Sequence, residues 1–121
     1  MTRNILFISG SLGLGHVTRD IAIANEIRSL RRNTQIQWLA AHPASDFLIE
    51  NGETVLPEAS DYLNENLIAE STARGFRLNL YRYALEFRRQ WQHNINLVDR
   101  LTAKNDFDLL IGDETYDLVT A

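Results

Sequence analysis

Between Asn4 and Arg19 the chain sets an apolar run, a glycine-rich turn and a helix start directly after one another. Asn4-Ile5-Leu6-Phe7-Ile8-Ser9 reads as a strand buried on both faces, because it lacks the alternation of a half-exposed one. Gly10-Ser11-Leu12-Gly13-Leu14-Gly15 turns the chain. From His16 to Arg32 a helix follows, with Val17, Ile21, Ala24, Ile27 and Leu30 spaced as its apolar stripe. A strand ending this way aims backbone N–H groups and a positive helix terminus at one point. That point suits a phosphate, a diphosphate or a developing negative charge.

The remaining chain continues the alternation. Gln35–Ala40 is a second strand, His42–Glu50 opens and carries a short helix, and Asn51-Gly52 caps it. Glu53–Leu56 is a brief third strand, followed by a polar, irregular stretch from Glu58 to Asn66. A long helical pattern then occupies Leu67–Lys104, with Gly75 as its point of interruption. Its second part sets Phe76, Leu80, Tyr83, Phe87, Trp91, Ile95, Val98 and Leu101 on one side. Phe107–Ile111 is a fourth strand closing on Gly112-Asp113-Glu114, and Tyr116–Ala121 reads as the start of another helix.

Buried-looking strands alternating with helices define an α/β domain with a parallel sheet of about four strands and right-handed crossovers. The expected strand order is 3-2-1-4. Ligands in such open sheets bind at the carboxyl ends of the strands, where the chain reverses direction across the sheet. Here that crevice lies between the loop at Ser9–His16 and the loop at Gly112–Tyr116. No repeat, linker or low-complexity tract divides the 121 residues, so one domain is expected.

Composition narrows the function classes. A net charge of −4 gives no support for general nucleic-acid binding, and the absence of cysteine removes thiolate metal sites and disulfides. The apolar run at the N-terminus stops at Ser9, too short for a signal-peptide core or a membrane span, so a cytoplasmic protein is expected. His42 and His93 have no partner at metal-ligand spacing and read as surface or helix-end histidines.

The run Gly10-Ser11-Leu12-Gly13-Leu14-Gly15-His16-Val17-Thr18-Arg19 resembles the first loop of the GT-B glycosyltransferases. It is closest to the group that includes family 28 and the bacterial N-acetylglucosaminyltransferase of peptidoglycan synthesis. There a Gly-x-Gly-His-x-x-Arg-like signature follows the first strand of the N-terminal domain. Asp108-Leu109-Leu110-Ile111-Gly112-Asp113-Glu114 is similar to the family's fourth-strand segment, an apolar strand ending in a small residue and often an acid.

The resemblance implies two Rossmann-like domains with the active site between them, this chain being the truncated first part of the acceptor-side domain. The parent would transfer a hexosyl group from a nucleotide-diphosphate sugar, held by a C-terminal domain missing here, to an acceptor hydroxyl. The isolated chain would then be inactive. No metal or other cofactor is implied. His16 is the implied base, oriented by Asp113, since histidine as a residue type exchanges protons near neutral pH and transfer needs a base for the hydroxyl. Gly10, Ser11, Gly13, Gly15, Arg19 and Glu114 are the implied acceptor- or phosphate-binding residues. The alternative is that His16 and Asp113 merely cap their helices and the glycines make a tight strand-to-helix connection.

Two rivals come from other classes. Gly13-Leu14-Gly15-His16-Val17-Thr18 begins like a dinucleotide-binding fingerprint, but Thr18 replaces the third glycine and no acid ends the second strand at Leu39-Ala40-Ala41-His42. A P-loop fails because no lysine follows the glycines. The other rival is a non-catalytic half that pairs with a partner chain or a second copy through an open sheet edge. Arg74, Arg77, Arg82, Arg88 and Arg89, interleaved with Phe76, Tyr81, Tyr83, Phe87 and Trp91, offer a peripheral membrane surface. An ordinary amphipathic helix, with core aromatics and solvated arginines, is the simpler account and is preferred.

Overall fold

A computed structural model of the chain describes residues 2–10, 14–62, 73–74, 77–78, 80–113 and 115. Strand β1 (Arg3–Ser9) leads into helix α1 (Leu14–Leu30), then β2 (Thr34–Ala40), α2 (Ala44–Glu50) and β3 (Thr54–Val55). A 3-10 turn spans Pro57–Asp61. A small antiparallel pair, β4 (Ala73–Arg74) with β5 (Arg77–Leu78), precedes the long helix α3 (Leu80–Lys104) and strand β6 (Leu109–Asp113). The main sheet is four-stranded and all parallel, in the order β3-β2-β1-β6, which is 3-2-1-4 among its own strands. This is a Rossmann-like arrangement.

Strand β1 divides the core. Ile5 and Phe7 point to one face and pack with Val17 and Ala24 of α1, Ala44 and Leu48 of α2, and Trp38 of β2. Leu6 and Ile8 point to the other and pack with Leu97, Val98 and Leu101 of α3 and with Ala59 and Tyr62. That alternation, with both faces covered by helices, is why the run looked uniformly apolar. Phe7 and Trp38 are register partners whose rings stack with centroids 4.3 Å apart.

Local chemistry sets the element ends. Gly52 takes a left-handed φ of 78°, and Glu53 N–H returns to Leu48 O at 3.0 Å, closing α2 as Asn51-Gly52 led one to expect. The turn delivers Glu53, whose carboxylate accepts from Trp38 Nε1 at 3.0 Å and from the Arg28 guanidinium. Burial opposes ionisation of Glu53, but these hydrogen bonds and the arginine charge hold its pKa below the ordinary value.

Several expectations need correction. Helix α1 runs from Leu14 to Leu30, not from His16 to Arg32, because Arg3 N–H takes Asn33 O at 2.8 Å and draws the chain into the sheet. Leu30, placed on the apolar stripe, is 75% exposed. The 67–104 helix is broken: residues on either side of Gly75 form β4 and β5, and α3 begins only at Leu80. Among the described side chains the buried face of α3 is Gln90, Asn94, Leu97, Val98 and Leu101; Val98 and Leu101 belong to the expected stripe, while Gln90 and Asn94 are amides that an apolar search passes over. Trp91 and Ile95 are only partly buried. Part of the irregular stretch after Pro57 is the 3-10 turn. The fourth strand is Leu109–Asp113, shifted by two residues so that Asp113 belongs to the strand itself. Residues 63–72 and the helix expected over 116–121 lie outside the described residues. Among the described residues no helix is long and apolar enough to cross a membrane.

Candidate active site

Parallel pairing of β1 with β6 sets Ser9 opposite Asp113, and Gly10 N–H donates to Asp113 O at 2.9 Å. The carboxyl ends of β1 and β6 are therefore side by side where the sheet reverses direction. Helix α1 begins at Leu14, just beyond β1, so its first turns pass over this corner. His16, Arg19 and Asp20 come from those turns; Arg19 lies three residues beyond His16, on the same helix face.

Arg19 ties the corner together. Its Nη2 donates to both carboxylate oxygens of Asp113, at 3.0 and 2.9 Å, and approaches His16 Nδ1 at 3.0 Å. A guanidinium has no acceptor, so His16 Nδ1 must present its lone pair there, which puts the proton of a neutral imidazole on Nε2. His16 Nδ1 lies 4.0 Å from Asp113 Oδ2. The two share a rim without a direct hydrogen bond, because the arginine stands between them.

Asp20 lies beneath. Its side chain is fully buried, and Oδ2 accepts from the Ser9 hydroxyl at 2.9 Å. Burial, followed by the neighbouring Asp113 carboxylate, pushes the Asp20 carboxyl up to about 7, against the opposing pull of Ser9 and Arg19. Asp113 moves the other way: burial acts against its charge, but the neighbouring Asp20 carboxyl, the hydrogen bonds from Arg19 and the Arg19 charge lower its pKa.

Of the residues singled out from sequence, Gly10, Gly15, His16, Arg19 and Asp113 lie around this corner, whereas Ser11, Gly13 and Glu114 fall outside the described residues. A Cβ placed on Gly15 would meet nothing within 4 Å, so no packing against the described protein demands glycine there. Asp20 and Ser9 were missed. The signal was present: Asp20 stands three residues after Val17 and four before Ala24, a carboxylate inside the apolar stripe. A carboxyl so perturbed and so placed marks a candidate functional site.

A separate cavity of about 590 Å³ opens at the carboxyl ends of β2 and β3, lined among others by Ala41, Ser45, Ile49, Leu56 and Tyr62. His42 on its rim pairs with Asp46 at 2.8 Å, and His93 meets Asp61 O at 2.7 Å; both histidines are exposed. Among the described residues no group of three or more histidines and acids is placed to hold a metal ion. No family model, curated protein or solved structure matches this chain.

Proposed function

We propose that the chain forms the acceptor side of a glycosyltransferase of the GT-B kind, moving a hexosyl group from a nucleotide-diphosphate sugar to a hydroxyl. The observation that carries this reading is the meeting of His16, Arg19 and Asp113 at the reversal point of a parallel sheet, in front of a helix N-terminus. Open space at Gly15 and the 590 Å³ cavity on the same end of the sheet give an acceptor room to lie. The nucleotide half of the donor would be held by a second domain, whose pattern does not occur in these 121 residues.

This reading requires the following chemistry. Transfer needs a base to take the hydroxyl proton and a positive group to meet the departing diphosphate. In the arrangement described above Arg19 occupies His16 Nδ1, so Asp113 does not orient the imidazole. An anionic donor draws the half-exposed guanidinium outward. Asp113 then accepts from His16 Nδ1–H, and Nε2 is left to receive the acceptor's proton. Arg19 thereby serves the leaving group and arms the base in one movement.

The test is transfer by the protein that carries this chain. His16→Ala should lower kcat by about a hundredfold or more, the usual worth of a positioned base. Turnover near wild type would end the base role. Tight, stoichiometric binding of a nucleotide sugar to this chain alone would contradict the acceptor-side assignment.

A second reading, a half that works by pairing, draws on a different observation. Leu109 and Leu110 on the outer strand β6 are 51% and 45% exposed, an apolar edge of the kind that joins chains. Light scattering decides it: a stable dimer supports the paired half, and a monomer at high concentration removes self-pairing.

A further inference from the structure

The 3-10 turn at Pro57–Asp61 divides two cavities. Ala59 and Ser60 line the 590 Å³ one, whereas Glu58 and Asp61 line another of about 250 Å³ against α3. Residues three apart stand on one side of such a turn, which is why the two acids go together. Across from them α3 sets Leu97, Arg100, Leu101 and Lys104 at helical spacing. Leu97 and Leu101 are buried and floor the cavity. Its walls are thus acidic on the turn and basic on the helix. Opposed walls of this kind close on each other when they serve as ion pairs, and these do not. Among the described residues the one approach is Lys104 Nζ to Glu58 Oε1 at 3.9 Å, too long for a hydrogen bond. Glu58 Oε2 is sealed from water and finds no donor there. The side chains of Arg100 and Asp61 make no hydrogen bond or ion pair among the described residues.

We propose that this cavity is a binding site for a small zwitterion, a free amino acid with an apolar side chain. The ligand's ammonium donates to Glu58 and Asp61, which as carboxylates have acceptors alone to offer. Its carboxylate takes the Arg100 guanidinium fork to fork, with Lys104 as a second cation. Its side chain rests on Leu97 and Leu101. The terminal torsion of a glutamate is soft, so Oε2 turns toward the incoming ammonium at little cost. A lone cation would leave Arg100 unanswered, and a lone anion would leave Glu58 without a donor. A ligand bearing both charges answers both walls. The cavity is smaller than those that take drug-sized ligands, as suits a molecule of a few heavy atoms. Neither His16 nor Asp113 takes part, so the inference is independent of the glycosyl-transfer reading.

The experiment is methyl NMR of the full chain titrated with free leucine, with isocaproate, which lacks the ammonium, and with isoamylamine, which lacks the carboxylate. Leucine should shift the Leu97 and Leu101 methyls to saturation. Each half-analogue should bind at least about tenfold more weakly, the worth of a hydrogen bond to a charged group. Glu58→Gln should weaken leucine and isoamylamine and leave isocaproate unchanged. Arg100→Gln should weaken leucine and isocaproate and leave isoamylamine unchanged. No methyl shift with leucine up to its solubility, equal binding of leucine and either analogue, or a variant that binds all three as the wild type does overturns the proposal. Arg100 is exposed, so should Glu58→Gln fail to fold, the Arg100 variant and the two analogues decide alone.

Discussion

Arg19 grips Asp113 through a single guanidinium nitrogen, 3.0 and 2.9 Å from the two carboxylate oxygens, and with that same nitrogen reaches His16 Nδ1. One cation thus decides whether the histidine and the aspartate address each other. Its side chain is 56% exposed, so the grip is an open one.

Removing that cation should rewire the corner at little cost to the fold. In Arg19→Ala, His16 is expected to turn its protonated Nδ1 toward Asp113, and nitrogen-15 shifts of the imidazole should show the Nε2–H form giving way to Nδ1–H. Stability should change by no more than about 1 kcal/mol, as for other exposed pairs. An unchanged tautomer would mean that Arg19 does not hold the two apart.

The buried acid makes stability depend on pH in a defined direction. Asp20 has a folded pKa of about 7 against an ordinary 3.8, so the folded chain binds its proton more tightly than the unfolded one. Its contribution is fully present below about 3.8 and is lost as pH rises to about 7. Asp113, lowered, contributes above its ordinary value and loses that contribution as pH falls through its folded pKa. Urea unfolding across pH 4–8 should show the falling limb in wild type and its absence in Asp20→Asn. The same slope in both proteins would contradict the assignment.

Glu53 is the structural counterpart. Glu53→Ala leaves the Trp38 indole N–H without its acceptor and Arg28 without its carboxylate, and should cost about 3 kcal/mol in chemical denaturation. Because its folded pKa is depressed, the stabilisation is present above about 4.5 and fades as pH falls through the folded value. A loss below about 0.5 kcal/mol would show that the pair is solvated and of little worth.

Gly112 stands where a side chain has no room. A Cβ there would run into the Thr115 side chain, so Gly112→Ala should cost about 1–3 kcal/mol and disturb the backbone next to Asp113. The double variant with Thr115→Ala should recover most of the loss. Equal destabilisation of the single and double variants would place the strain elsewhere.

The parallel sheet was legible because strands alternate with helices and β1 and β6 carry uninterrupted apolar runs, as a strand covered on both faces requires. Gly10 and Asp113 were legible as neighbours because the strand order brings the carboxyl ends of β1 and β6 together. Three things were not. Gly75 marked a break without revealing that strands flank it, since Ala73–Arg74 and Arg77–Leu78 are too short to show a period. The inward face of α3 carries Gln90 and Asn94, and hydropathy has no means of marking a buried amide. Arg19 standing between His16 and Asp113 depends on where one nitrogen falls at the end of a long side chain, which no residue pattern encodes.

The strand that supplies Ser9 is clamped from above and below, while the one that supplies Asp113 lies at the rim with two leucines in water. The halves of the corner are therefore of unequal firmness. Amide exchange should be slowest along β1 and quicker along β6.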